Sequence, residues 1–367
     1  MRFKAAVLEQ AKAPLVIREV EARALGDFDV LVRVRASGLC HTDLEIIQGQ
    51  LDWPLPAVLG HEGAGVVEAV GKEVSLVRPG DHVVCSWNPT CGHCFYCDRG
   101  QPILCEPHSV NTGRGNLLDG ESRLTLDGRR LNHFSAVSSH AEYAVVHQTS
   151  AVRVPKEIPF DRACLIGCGV MTGVGGVARM ARVEAGASVA VIGCGAVGLN
   201  AVQGAAIERA GTIIAIDVDA GRLALAQRFG ATHTLLAASN DLVGQVKALT
   251  GGRGADYVIE CAGNEAALRA MFEIARPGAE IVVLGKTNVN AMVALRWGSM
   301  MGEKRMIRSS YGGARPRRDF PWLAELYLEG KLKLDELITR RIRLSEINDG
   351  FAGMAKGEII RAVIQFD

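Results

Sequence analysis

The chain lacks an excess of either charge: 41 Lys and Arg face 40 Asp and Glu, leaving a formal charge of +1. That balance removes the electrostatic argument for nucleic acid or an acidic membrane surface, so neither is expected as a partner. Long apolar runs are also missing. The longest, Val189–Leu199, is Gly-rich and falls short of the roughly 18 residues that cross a bilayer. The first ten residues hold no stretch suited to a signal peptide. No internal repeat, low-complexity tract or charge block is present, and the basic run Arg315–Arg318 is short. These absences lead to the expectation of a soluble, cytoplasmic protein that acts on a small molecule.

What is present is ordinary globular composition, with 48% hydrophobic and 22% charged residues in 367, and two counts that stand out: 42 Gly and 10 Cys. The length suggests two domains, each with its own core. Ten thiols are too dilute for a disulfide-stapled fold, so their spacing matters more than their number. Residues 1–150 read as short strands split by Gly, Pro and Asp, among them Val30–Val34, Gly65–Val70 and His82–Cys85. Residues 106–140 read as a long polar surface loop with a hairpin at Asp127-Gly128. From about residue 170, strands alternate with helices: Ser188–Gly193, Leu199–Ala210, Thr212–Asp217, Arg222–Phe229, Tyr257–Cys261, Ala266–Ala275 and Glu280–Leu284. That rhythm predicts βαβ units and a doubly wound parallel sheet, so the fold class is α/β with a β-rich first part. A helix after Pro321 and a strand Ala362–Phe366 lack this rhythm and are expected to return to the first domain.

The sharpest local signal is Cys91-Gly-His-Cys94-Phe-Tyr-Cys97 followed by Cys105. Four thiolates from one loop fill a zinc tetrahedron and leave no open position, so a structural ion is expected. An iron–sulfur cluster and four unrelated buried thiols are the alternatives; His93 is read as a bystander. A second set is dispersed: Cys40-His-Thr-Asp43, Gly60-His-Glu62 and Cys168. Singly, each is a core residue as readily as a ligand. Together they supply two thiols and an imidazole, the three-ligand pattern of a catalytic zinc with a vacant fourth position. Asp43 is a candidate to hold the other imidazole nitrogen, and Glu62 is a neighbouring carboxylate. Cys85, Cys164, Cys194 and Cys261 lie in apolar contexts and are expected in the core.

Gly193-Cys-Gly195-Ala-Val-Gly198 follows a strand, opens a helix, and precedes Asp217 at the end of the next strand. In that context G-x-G-x-x-G is a dinucleotide fingerprint: the glycines let the backbone approach a pyrophosphate at a helix N-terminus. Asp217 would accept from the adenosine ribose hydroxyls and repel a 2′-phosphate, which favours NAD over NADP.

In register over essentially its whole length, the sequence resembles the medium-chain zinc-dependent alcohol dehydrogenases. Gly60-His-Glu-Gly-Ala-Gly65 with Gly71 and Val74 matches that family's zinc signature, and the four-Cys loop, Gly-Cys168-Gly and the glycine fingerprint follow in its order. The resemblance implies a GroES-like catalytic domain over 1–169 and 313–367, interrupted by a Rossmann NAD-binding domain over 170–312. It implies two zinc ions per chain, the catalytic one on Cys40, His61 and Cys168 with Asp43 and Glu62 behind. Thr42 matches the hydroxyl that passes on the alcohol's proton. His41 and Arg361 fall where basic residues approach the cofactor pyrophosphate. Thr172, Val197 and Val283 are implied to line the nicotinamide, and Arg222 to lie near the ribose. A homodimer formed by joining cofactor-domain sheets edge to edge is implied, with a tetramer as the alternative.

Two departures from the family pattern bear on function. Where the well-known animal and yeast members place a relay histidine, this chain has Glu45; either Glu45 or a water chain carries the proton, or Glu45 is a solvated surface acid. Close relatives that act on glutathione adducts of formaldehyde use an arginine where this chain has Ser109, and acidic residues near Leu51 and Trp53. Leu51, Trp53, Trp87, Val110 and Phe134 instead suggest an apolar pocket for medium-length, terpenoid or aromatic primary alcohols. The segments around Cys40 and Cys168 also resemble bacterial aryl-alcohol and mycothiol-dependent formaldehyde dehydrogenases, so a thiol-dependent formaldehyde dehydrogenase is the second reading. A non-catalytic zinc-ribbon protein that senses NAD is the rival from another class; it leaves Cys40, His61, Cys168 and Thr42 unexplained. A zinc-free quinone reductase is disfavoured by the same residues.

Overall fold

β-branched residues crowd the first part of the chain, and in the computed structural model, which describes Met1 to Asp367, they build two sheets. The chain divides into one unit of Met1–Cys168, Arg315–Gly330 and Leu334–Asp367, and another of Gly169–Ala314 with Lys331–Lys333.

In the first unit, strands Arg2–Leu8, Val16–Ala22, Leu124–Leu126, Arg129–His133 and Ala57–Val58 close into a barrel. A 7-stranded sheet runs in the order Ala151–Arg153, His82–Cys85, Glu62–Val70, Asp29–Gly38, Arg361–Gln365 and Ile338–Ile342, with Tyr143–His147 pairing on Asp29–Gly38. Val30, Val32 and Val34 of the central strand pack with Val67, Val83 and Val146. Val30, Leu31 and Val32 are all buried, and the strand then alternates, with Arg33 exposed between the buried Val32 and Val34. The C-terminal strand is antiparallel to it, with Val363 opposite Gly38 and Ile364 opposite Ser37. This pairing carries Arg361 to the end of the strand that leads into Cys40.

The second unit is a 6-stranded sheet in the order His233–Leu236, Thr212–Asp217, Ser188–Ile192, Ala255–Glu260, Ala275–Val283 and Arg305–Arg308, every pair parallel. Numbered by sequence within the unit, that order is 3-2-1-4-5-6, the Rossmann arrangement, with its switch point beside Ser188–Ile192. All five residues of that strand are buried, as a parallel strand under two helical layers requires. Helices Ala220–Arg228, Leu242–Leu249 and Glu265–Ile274 are each started by a side chain. Asp219, Asp241 and Asn264 accept the backbone N–H of Arg222, Gly244 and Ala267.

Several expectations are corrected. Residues 106–140 are not one surface loop. They contain the helix Glu106–Thr112 and two barrel strands, and Leu117, Leu131, Phe134 and Val137 are fully buried. The hairpin does form at Asp127-Gly128, whose φ values of 50° and 75° suit a two-residue turn with both residues left-handed. The Rossmann strands His233–Leu236 and Arg305–Arg308 and the helix Leu242–Leu249 have no counterpart in the sequence reading. The first is short, and the second is exposed at every position and so carries no apolar pattern. A helical run, Phe160–Ala181, is 22 residues long and holds an 18-residue stretch of mean hydropathy 1.5, longer than the apolar run identified in the sequence. Most of it is buried inside the protein, as in a core helix. Cys85, Cys164 and Cys194 are buried, whereas Cys261 is only half-buried.

Candidate active site

Cys40 lies two residues past the end of the central strand, just before the helix His41–Ile47, and its carbonyl accepts the N–H groups of Asp43 and Leu44. Glu62 opens the neighbouring strand, opposite Gly38, and His61 immediately precedes it. Cys168 comes from the π-helical turn Ile166–Val170; such turns recur at functional sites because the extra residue widens the helix locally. These elements bring donor atoms of Cys40, His61, Glu62 and Cys168 within 4.8 Å of one another.

The donor set is polarised for a cation. His61 Nδ1 lies 3.2 Å from Asp43 Oδ2, and both side chains are almost wholly buried. Asp43 Oδ1 accepts the Gly60 N–H at 2.9 Å. With Nδ1 held by a carboxylate, Nε2 is the nitrogen left for a metal. A hydrogen bond from the Cys168 thiol, aided by the charge of His61, holds Cys40 well below the usual thiol range, and Cys168 is raised as the donor. Burial opposes a charged His61, yet Asp43 and Cys40 outweigh it and hold the imidazole well above its ordinary value. Metal entry into such a site releases protons, since thiolate and neutral imidazole are the binding forms. Burial pushes Glu62 up to about 7 against the pull of Arg361. Two thiols, an imidazole and a carboxylate, all buried but the half-buried Cys168, fit zinc.

Arg361 is drawn in against the same carboxylate. Its guanidinium is buried, 3.2 Å from Glu62 Oε1, and donates to the Leu39 carbonyl at 3.0 Å. Its partners are therefore the residues of the metal site, and the C-terminal strand places it there. Thr42 is half-buried on the short helix, His41 is exposed at its start, and Glu45 is half-buried one turn later.

The four thiols of Cys91, Cys94, Cys97 and Cys105 also converge within 4.8 Å. The Cys91 N–H donates to Cys105 Sγ at 3.3 Å, and the Glu106 backbone N–H is the first cause lowering the Cys94 thiol. A closed four-sulfur shell fits a structural zinc.

Of the pocket residues, the structure gathers three. Phe134 is fully buried with Leu51 and Trp53 packed on its cluster. Its ring stands edge-on to Trp53 at 4.9 Å and to His61 at 5.5 Å. Trp87 belongs to a different cluster, around Val30 and Val83. Val110 is exposed beside Tyr96, Leu104 and Ser109 near the four-Cys loop.

In the second unit, Gly193 has φ +88°, and a Cβ on Gly198 would lie 1.7 Å from the Gly193 carbonyl oxygen. Both are glycine because the protein packs against them. Around Gly195 a Cβ would meet nothing within 4 Å. That open cradle, at a helix N-terminus beyond the first strand, fits a pyrophosphate. Asp217 is buried, with Oδ2 accepting the Cys194 N–H at 2.6 Å and Oδ1 the Asp219 N–H at 2.9 Å. It thus fixes the glycine loop as well as closing its strand. Val197 is half-buried beside the loop, Thr172 and Val283 are buried, and Arg222 is exposed.

Residues 26–156 match the model of the alcohol dehydrogenase GroES-like domain, and residues 196–329 match that of the zinc-binding dehydrogenases. The chain belongs to the zinc-binding alcohol dehydrogenase family. As a member it is an oxidoreductase acting on CH–OH groups with zinc and NAD. It is 38% identical to an S-(hydroxymethyl)glutathione dehydrogenase of Aspergillus oryzae over 98% of this chain and 95% of that protein. Among solved structures, an alcohol dehydrogenase zinc-binding domain protein from Burkholderia ambifaria superposes with TM-score 0.96 at 37% identity, covering 100% and 99% of the two chains. Benzyl alcohol dehydrogenase from Acinetobacter calcoaceticus superposes with TM-score 0.94 at 32% identity, covering 100% of both.

The family reading left one neighbour of the site unremarked. His140 is buried, with Nε2 3.7 Å from Asp43 Oδ1. Ser138-Ser-His140 carries no motif; only the pairing of distant strands brings it to the site.

Proposed function

We propose that this dehydrogenase oxidises medium-length, terpenoid or aromatic primary alcohols to aldehydes, reversibly, with NAD⁺ as acceptor. The observation that carries the reading is Phe134, its ring 5.5 Å from the His61 imidazole and backed by Trp53 at 4.9 Å. In this reading Cys40, His61 and Cys168 hold the catalytic zinc, and Cys91, Cys94, Cys97 and Cys105 the structural one. Residues 1–169 with 313–367 form the catalytic domain, and 170–312 the NAD-binding domain.

When bound, zinc supplies the Lewis acidity that lowers an alcohol's pKa, and the nicotinamide supplies the hydride acceptor. The chain's own residues do the rest. Asp43 keeps the His61 ring in one tautomer and orientation. Arg361 balances the charge of Glu62 beside the site. Thr42 receives the hydroxyl proton, and Glu45, half-buried one turn later, is its route outward. Phe134, Trp53 and Leu51 exclude water and orient an apolar substituent. Gly195 admits the pyrophosphate, Asp217 selects NAD, and Val197, Thr172 and Val283 border the nicotinamide.

A thiol-dependent formaldehyde dehydrogenase is the second reading, supported by the names of the curated relatives and weakened by Ser109 in the position of an arginine. A panel of primary, benzylic and terpenoid alcohols with NAD⁺, run beside formaldehyde with glutathione and with mycothiol, separates the two. Highest kcat/KM on benzylic or terpenoid alcohols is expected; activity confined to formaldehyde with a thiol would replace the first reading by the second.

A homodimer is the proposed assembly. The edge strand Arg305–Arg308 is exposed along its length, including its apolar Met306 and Ile307, and Met301 and Trp297 shortly before it in the chain are also exposed. Such an edge invites pairing with another sheet, and light scattering at twice the chain mass is expected. The thiols of both metal sets need a reducing compartment, and we place the enzyme in the cytoplasm.

A further inference from the structure

The carboxylate of Asp43 is wholly buried and is approached by three donors from three parts of the chain. His61 Nδ1 faces Oδ2 at 3.2 Å, the Gly60 N–H donates to Oδ1 at 2.9 Å, and His140 Nε2 faces Oδ1 at 3.7 Å. Behind His140 the contacts continue: Nδ1 is 2.9 Å from Ser37 Oγ, which is 2.7 Å from Ser139 Oγ. All of these atoms are buried.

His140 Nε2 has no hydrogen-bond partner. An orphaned buried N–H is destabilising by about 1–3 kcal/mol, so a polar group retained there calls for a reason. Burial pushes this imidazole down to about 4, leaving it neutral. A neutral ring has one N–H, and the hydroxyl pair decides where it points. The contacts allow either direction along the chain; the one in which Ser139 donates to Ser37, and Ser37 to Nδ1, puts the proton on Nε2, aimed at Asp43, and is the one the inference takes. In a dry interior a dipole at this range acts with little screening. It draws negative charge toward Oδ1 and moderates how strongly Oδ2 pulls on His61.

We propose that His140 is a positioning residue for the catalytic zinc: with its tautomer set by Ser37 and Ser139, it holds and polarises Asp43, and through Asp43 it fixes His61. The proposal rests on the reading of Cys40, His61 and Cys168 as zinc ligands. The fold brings the parts close: a Cβ on Gly60 would lie 2.5 Å from the His140 backbone nitrogen, so Gly60, whose N–H also holds Asp43, is packed directly on His140.

The test is zinc release from the purified holoenzyme to a chromogenic chelator. The structural zinc in the same molecule serves as the control that general destabilisation would also move. His140→Phe, similar in shape but without the N–H, is expected to release the catalytic zinc up to about tenfold faster, no more than the low end for residues around a metal's ligands, because the contact to Asp43 is polar at 3.7 Å and not a hydrogen bond. The structural zinc should leave at the wild-type rate. His140→Gln, which keeps an N–H donor at the end of a side chain of similar length, should stay within about twofold of wild type. Ser37→Ala, which frees the ring to take either tautomer, should accelerate release in the same direction and serves if the Phe variant does not fold. Wild-type release rates in His140→Phe or Ser37→Ala overturn the proposal. Equal acceleration in His140→Phe and His140→Gln also overturns it, because packing alone would then be at work. A wild-type chain with one class of zinc would refute the ligand reading itself; two classes with no variant effect would refute only the role of His140.

Discussion

His61 Nδ1 and Asp43 Oδ2 stand 3.2 Å apart with neither side chain open to solvent. A carboxylate in that position fixes the ring and makes its other nitrogen a better ligand. Asp43→Asn keeps the shape and removes the charge. It is expected to weaken catalytic-zinc affinity by about 10–100-fold, measured by chelator competition, while the structural zinc is retained.

Gly195 and Gly198 belong to one motif but are glycine for different reasons, and alanine separates them. Gly198→Ala sets a methyl 1.7 Å from a carbonyl oxygen and is expected to lower Tm by several degrees. Gly195 has φ −70°, which any residue adopts, and open space around it. Gly195→Ala should leave Tm unchanged and weaken NADH binding about tenfold or more, read from nicotinamide fluorescence. Each tenfold is about 1.4 kcal/mol.

Burial, with the nearby Arg123 and Arg130, pushes His133 from 6.5 down to about 3. The unfolded chain therefore binds a proton in that interval that the folded chain refuses. Stability is unaffected above about pH 6.5 and falls as the pH drops below it, by at most about 1.4 kcal/mol per pH unit from this group. His133→Gln should flatten the dependence of urea midpoint on pH between 6.5 and 5.

Cys97 completes a closed set of thiols on one loop. Cys97→Ser is expected to reduce bound zinc from two per chain to one and to lower Tm, because metal binding there is part of the folding free energy. Metal analysis and a thermal melt check both.

How far the sequence could be read follows from where each residue's partners lie. The glycine loop and Cys91–Cys105 are local in the chain, so spacing alone carries their chemistry. Cys40, His61 and Cys168 are distant in sequence and became legible only when several motifs fell in family register. The setting of Arg361 on Glu62 depends on a C-terminal strand pairing beside Asp29–Gly38, which no local pattern announces. His140 was invisible for the same reason. The strand Arg305–Arg308 escaped notice because an exposed edge strand has no buried face to impose an apolar period. The segment that carries Phe134 reads as a surface loop because its Gly and polar residues lie among buried barrel strands.

The account turns on Cys40, His61 and Cys168 holding the zinc that activates the alcohol. The most direct test is NADH formation from benzyl alcohol by Cys40→Ser, with zinc content and NADH binding measured on the same preparation. The account predicts no turnover, one zinc retained and NADH binding intact; turnover near the wild-type rate would contradict it.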